Sequence, residues 1–200
     1  FDRDVISEGG GVYSRRDKSV PITPQVREAL GIEDGVESLS PQELVRRVLL
    51  APADLLYNGG IGTYVKASSE TNQEVGDKAN DAIRVNGEDL RVKVVGEGGN
   101  LGLTQLGRIE AALNGVLVNT DAIDNSGGVE SSDREVNIKI LVDGMVQAGL
   151  LSPEERAEFI ESMTDEVAEL VLRTNVAQNV LLTTERARGV EFTETFIRLM

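Results

Sequence analysis

The chain contains no histidine and no cysteine. These absences exclude much of enzyme chemistry. A Ser-His-Asp triad, a Cys-His pair and a His/Cys zinc site are all impossible within it. Without cysteine there is no disulfide and no thiol redox function, which a reducing compartment would suit. Acid–base work would fall to Asp, Glu, Lys or Tyr. Tryptophan is also absent, and aromatic residues make up 4% of the chain, so the core must be mostly aliphatic. No apolar run is long enough to span a bilayer, and no signal-peptide pattern opens the sequence. Positive charge is in deficit: 20 Lys+Arg against 34 Asp+Glu leave a net charge of −14. That field works against binding a phosphate backbone, so no nucleic-acid partner is expected. A complete G-x-G-x-x-G is missing too, because Gly96-Glu97-Gly98-Gly99-Asn100-Leu101 has Leu at the third glycine position. If the protein has a pyrophosphate-binding turn, it lies upstream of Phe1.

What is present is a repeated strand–loop–helix pattern. Asp54 to Tyr57 reads as a strand that runs into Asn58-Gly59-Gly60. Arg91 to Val95 reads as a strand ending at Glu97-Gly98-Gly99-Asn100, followed by a helix from Thr104 to Leu113 with Asn114-Gly115 as its stop. Val116 to Asn119 reads as a third strand, leading to a polar loop, Asp121 to Val129, and a helix from Asp133 to Ala148. This grammar predicts an α/β fold with a parallel sheet, a partial Rossmann-like sheet followed by a helical C-terminal segment. Loops after parallel strands gather at one edge, where ligands bind. Glycine lets a ligand approach the backbone, and Asn offers both a donor and an acceptor, as a carboxamide ligand requires. Taken singly, each loop reads better as a tight turn; only the three together make a ligand crevice an equal reading.

Cap chemistry fixes other elements. Thr23-Pro24 opens a short helix closed by Gly31, and Ser40-Pro41-Gln42-Glu43 is a capping box for a helix with Leu44, Val45, Val48 and Leu49 on one face. Ser152-Pro153-Glu154-Glu155 is a second capping box, predicting one long helix to about Leu182. Residues 62–90 read less clearly, with one or two helical turns between Ser68 and Ile83 and a turn at Asn86-Gly87. Composition shifts near residue 150, which predicts a dinucleotide-binding half-domain over 1–150 and a helical segment over 151–200. With Phe1 in place of Met and a helix opening at Thr193 to Met200, the chain reads as a fragment of something longer. Asp121, Asp124 and Asp133 lack the spacing of a calcium loop, so no metal is expected. Lys66 is the one tempting catalytic amine, but it lies a full turn beyond the Asn58 loop and surface lysine is the commoner state, so no catalytic residue is assigned.

Four long segments carry a resemblance. They are Asp54-Leu55-Leu56-Tyr57-Asn58-Gly59-Gly60-Ile61-Gly62-Thr63-Tyr64-Val65-Lys66, Gly76-Asp77-Lys78-Ala79-Asn80-Asp81, Glu97-Gly98-Gly99-Asn100-Leu101-Gly102-Leu103-Thr104-Gln105 and Asn125-Ser126-Gly127-Gly128-Val129-Glu130-Ser131-Ser132-Asp133. With the leader Ile6 to Arg15, they resemble the large bacterial NAD-specific glutamate dehydrogenases over roughly residues 2–142. The resemblance implies an oxidoreductase of amino-acid catabolism that oxidatively deaminates L-glutamate to 2-oxoglutarate and ammonia, with NAD as hydride acceptor. It also implies a cytoplasmic enzyme and a homo-oligomer, with no nucleic-acid or membrane partner. Smaller glutamate dehydrogenases have segments similar to Glu97–Asn100 and Asn125–Val129, whose asparagines lie near the nicotinamide and its ribose. On that basis Asn100 and Asn125 are cofactor-binding candidates and Ser132 the substrate-carboxylate candidate; Asn58, Gly59 and Gly60 join the cofactor-binding candidates through the matching loop pattern. Asp133-Arg134 stands where the family has an aromatic pair, and a carboxylate beside Ser132 repels a dicarboxylate unless it points away. The family's catalytic Lys and Asp are expected upstream, so the chain alone is predicted to be inactive. The rival readings are a nucleotide or amino-acid sensor module without catalysis, and a structural element whose loops are merely turns.

Overall fold

The computed structural model describes residue 2 and residues 5–199; Phe1 and the Met200 end of the expected last helix lie outside them. The residues form two compact units, one ending at Asp121 and the other beginning at Ala122. The compositional shift near residue 150 falls inside the second unit.

The first unit is built on a three-stranded parallel sheet in the order β3-β6-β7, with β3 Leu55–Asn58, β6 Val94–Glu97 and β7 Leu117–Val118. Pairing runs Leu55↔Val94↔Leu117 and Leu56↔Val95↔Val118. The strands start later than propensity suggests: Arg91 to Lys93 stay outside β6 because pairing with β3 begins only at Val94. Before the sheet come β1 (Val20–Pro21), α1 (Pro24–Leu30), β2 (Ser38–Leu39) and α2 (Pro41–Leu49), with β1 and β2 antiparallel. Both helices begin where their caps predict. The Thr23 hydroxyl accepts the Val26 N–H, and Ser40 and Glu43 form the reciprocal box.

Residues 62–90 hold more structure than the sequence suggests. β4 (Val65–Lys66) pairs in parallel with β5 (Val85–Asn86), and α3 (Asn72–Val75) is capped by a Thr71/Glu74 box. A 3-10 turn at Gly87–Asp89 then packs on α4 (Gln105–Leu113). Only glycine fits at Gly87, because a Cβ there would lie 2.6 Å from the Gly107 carbonyl oxygen. The aliphatic core gathers Val65, Val85, Leu90, Val92, Val95, Leu103, Ala111 and Val116. Each such Val or Leu contributes about 1.5–3 kcal/mol on burial. One face of the sheet, with Leu56, Val95 and Val118, meets this core, whereas the row Leu55, Val94, Leu117 and the neighbouring Tyr57 are exposed on the other.

From Asp121 onward the structure corrects two expectations. The segment expected as a polar loop up to Val129 is helical: α5 spans Asp121–Asp124 and α6 runs from Ser126 to Gln147, with Gly127 and Gly128 in its first turn. The long helix expected from Ser152 is two helices, α7 (Pro153–Ser162) and α8 (Thr164–Ala187). The break has a local cause. The Ser162 and Thr164 hydroxyls donate to the carbonyls of Phe159 (2.7 Å) and Glu161 (2.8 Å), competing with the helical ladder. α6 and α8 bury Val142 and Val171, and α9 (Thr193–Leu199) closes the described chain. Among the described residues, no helix is long and apolar enough to cross a membrane.

Candidate functional site

β3 and β6 end side by side, with Asn58 opposite Glu97, and the Gly98 N–H donates to the Asn58 carbonyl at 2.8 Å. The loops Gly59-Gly60 and Gly98-Gly99-Asn100 therefore leave the same edge of the sheet together. They touch backbone to backbone, since a Cβ on Gly99 would collide with the Gly60 carbonyl oxygen. The structure thus brings Asn58, Gly59, Gly60 and Asn100 together, with Asn100 exposed. The Asn58 side chain packs against Gly102, where any Cβ would strike its amide nitrogen. That Nδ2 is buried without an acceptor, which costs about 1–3 kcal/mol.

A cleft of about 270 Å³ opens beside Asn58, between Val45, Val48 and Leu49 of α2 and Leu56, Tyr64 and Leu103. It is a mostly apolar recess with Asn58 and the charged Arg15 in its wall, the usual character of a small-ligand pocket, and it is sized for part of a ligand. Lys66 takes no part in it. Its ammonium group donates to Asn86 Oδ1 (2.7 Å) and the Ala67 carbonyl (3.0 Å), as a structural cation would.

Two buried arginines organise the loops, and sequence reasoning missed both. Glu97 is fully buried and is gripped in two places by Arg108 of α4, Nε to Oε2 at 2.8 Å and Nη2 to Oε1 at 2.9 Å. Arg108 also reaches Asp121 at 3.2 Å. The Arg84 side chain, likewise buried, donates to the carbonyls of Thr63 (2.8 Å) and Asp77 (2.5 Å) and to Asn72 (2.8 Å) and Asp81 (2.6 Å). The Asp77 carboxylate accepts from Asn80 (2.7 Å) and the Thr63 N–H (2.9 Å). Those hydrogen bonds, and then the charge of Arg84, outweigh desolvation and hold the Asp77 carboxyl below the usual carboxylate range. For Glu110 on α4, burial works against the charged form. Hydrogen bonds from Ser68, Glu88 and Gly87 overcome it and lower its pKa. The i,i+3 spacing of Asp81 and Arg84 was the one legible signal of these clusters.

In the second unit, Asn125 is the residue before α6, half-buried, with its carbonyl accepting the N–H groups of Gly128 and Val129. A Cβ on Gly128 would lie 2.6 Å from the Asn125 amide, so Gly128 makes room for that side chain, whereas Gly127 faces open space. Ser132 follows seven residues later, two helical turns on, and is exposed. Asp133 sits about 100° further round the helix and lines a cleft of about 470 Å³ with Arg134, Met163 and Leu170. The turn at Asn125-Ser126 is held from α8. Asn175 Nδ2 donates to the Ile123 carbonyl (2.8 Å) and to the buried Ser126 hydroxyl (2.9 Å), and Asn179 braces Asn175 in turn.

Residues 1–185 match the family described as bacterial NAD-glutamate dehydrogenase, catalytic domain. The chain is 57% identical to the NAD-specific glutamate dehydrogenase of Mycobacterium tuberculosis over 193 residues, 94% of this chain and 12% of that protein. It is 57% identical to that of Halomonas elongata over 182 residues, 91% of this chain and 11% of that protein. Identity to that of Pseudomonas aeruginosa is 51% over all 200 residues, 12% of its length. The chain thus spans about 12% of the length of these curated relatives.

Proposed function

Because the chain belongs to the bacterial NAD-glutamate dehydrogenase family, matching its catalytic domain, we propose that it forms the nicotinamide side of the cleft in an enzyme that oxidatively deaminates L-glutamate. The observation that carries this reading is the gathering of Asn58-Gly59-Gly60 and Gly98-Gly99-Asn100 at the carboxyl edge of a parallel sheet. Such an edge is where α/β folds hold nucleotides. The residues fit the cofactor: Asn58 has a buried donor without an acceptor, and the carboxamide and ribose of a nicotinamide nucleotide offer acceptors.

When bound, NAD supplies the hydride acceptor. The glutamate Cα–H leaves as hydride, the amine gives up protons, and water completes the conversion to 2-oxoglutarate and ammonia. The part of this chain is orientation. Asn58 and Asn100 would hold the carboxamide and ribose by hydrogen bonds, with Gly59 and Gly60 letting the main chain approach them; Asn125, on the second unit, is proposed as a cofactor contact from the family resemblance alone. Ser132 donates to a substrate carboxylate. Holding both reactants in one geometry is the entropic share of catalysis. Proton transfer belongs to groups outside this chain, so the isolated chain is inactive on this reading. The same reading carries a cytoplasmic, homo-oligomeric enzyme.

The test is glutamate-dependent NAD reduction by the full-length polypeptide, wild type against Asn125→Ala. Losing one or two hydrogen bonds to the cofactor lowers kcat/KM about 10- to 100-fold with folding intact. Unchanged activity would make Asn125 a turn residue only and would remove the site assignment.

A further inference from the structure

Leu101 is the one non-glycine among the described residues with a positive φ, +57°. A leucine in the left-handed region is strained, and such strain persists only where the surroundings over-determine it. The surroundings here do so from two sides. The Leu101 N–H donates to Asp121 at 2.7 Å, and Asp121 is tied through Arg108 to the buried Glu97. The Leu101 carbonyl accepts from the Thr63 hydroxyl at 2.7 Å, and the Thr63 carbonyl accepts from the buried Arg84. Both arginine clusters thus terminate on the two peptide groups that flank the strained Leu101.

The side chain so held is not used in the core. It is 64% exposed, directly after Asn100, on the loop that packs against Gly60. Ile61, on that neighbouring loop, is 88% exposed. Glycine would adopt the same turn without strain, so the leucine side chain is what the strain maintains. We propose that Leu101 is a cofactor-contact residue, an apolar wall held in place to pack on the nicotinamide end of the bound dinucleotide and keep water from it. This rests on the dinucleotide reading above. The chemistry suits the reaction, because hydride transfer proceeds in a site from which water is excluded.

The experiment compares wild type, Leu101→Gly and Leu101→Asn in the full-length polypeptide. The readouts are the NAD dissociation constant by calorimetry, KM for NAD, kcat with glutamate, and Tm. Glycine keeps the turn and deletes the side chain; asparagine tolerates the turn and makes the side chain polar. In both variants the dissociation constant and KM for NAD rise about tenfold, kcat changes less, and the glycine variant has an unchanged or higher Tm. Unchanged affinity for NAD overturns the inference and leaves Leu101 a strained turn. A lower Tm in the glycine variant also overturns it and makes Leu101 a packing residue. A wild type that binds NAD without oxidising glutamate refutes the glutamate reading, and Leu101 is then decided by the NAD dissociation constants. A wild type that does not bind NAD overturns both.

Discussion

Replacing Arg108 by methionine removes the guanidinium while keeping most of the apolar stem. The perturbation falls on Glu97, whose fully buried carboxylate then loses two charge-assisted hydrogen bonds of 2.8 and 2.9 Å. Each such bond is worth about 1.5–3 kcal/mol. Breaking a buried ion pair from one side costs about 3–5 kcal/mol, because the remaining charge stays desolvated. Against a usual domain stability of about 5–15 kcal/mol, that is a large fraction. With a urea dependence of about 2 kcal/mol per molar, the unfolding midpoint of Arg108→Met falls by about 2 M. The control is the double variant Glu97→Gln with Arg108→Met. Removing both charges deletes the stranded carboxylate, so the double variant is more stable than the sum of the single effects implies. A single-variant loss under about 1 kcal/mol, or strict additivity in the double variant, would refute the reasoning.

Two further outcomes follow from the same loops. Asp77 has a lowered pKa in the folded chain, so its contribution to stability is present above the ordinary carboxylate range and is lost as pH falls through the depressed value. Asp77→Asn therefore costs about 1 kcal/mol at pH 7, and the gap to wild type closes in acid; urea midpoints at both pH values check this, and a pH-independent gap contradicts it. Gly102→Ala places a Cβ against the Asn58 amide and 3.0 Å from Glu97 Oε1, so it destabilises by about 1–3 kcal/mol and weakens NAD binding, measured by Tm and titration. A variant altered in neither would mean that the Asn58 side chain is free to move aside.

The parts of the fold that were legible in the sequence are those fixed by neighbours along the chain. Thr23-Pro24, Ser40 and Ser152 place three helix starts correctly because a cap is a contact over three residues. The parallel sheet was legible as a repeated pattern, but the start of β6 was not, since Val94 begins the strand only because Leu55 pairs with it. Gly127-Gly128 resembles a loop, yet both glycines lie in a helix, where Gly128 makes space for Asn125. The break at Met163 carries no Gly or Pro; it is made by two hydroxyls bonding backwards. At the site, the glycine and asparagine loops stood out by residue type. The Glu97–Arg108 cluster and the left-handed Leu101 did not, because nothing local to those residues announces their partners, and of the Arg84 cluster only the i,i+3 pair with Asp81 was legible.

The uncovered row Leu55, Val94, Leu117 also matters during synthesis. Each residue alone is an ordinary exposed aliphatic side chain. Only when β7 has been made and has paired with β6 do the three fall into line and become one adhesive strip. Docking of β7 thus does two things at once: it satisfies the open edge of β6 and completes an apolar strip on the opposite face from the core.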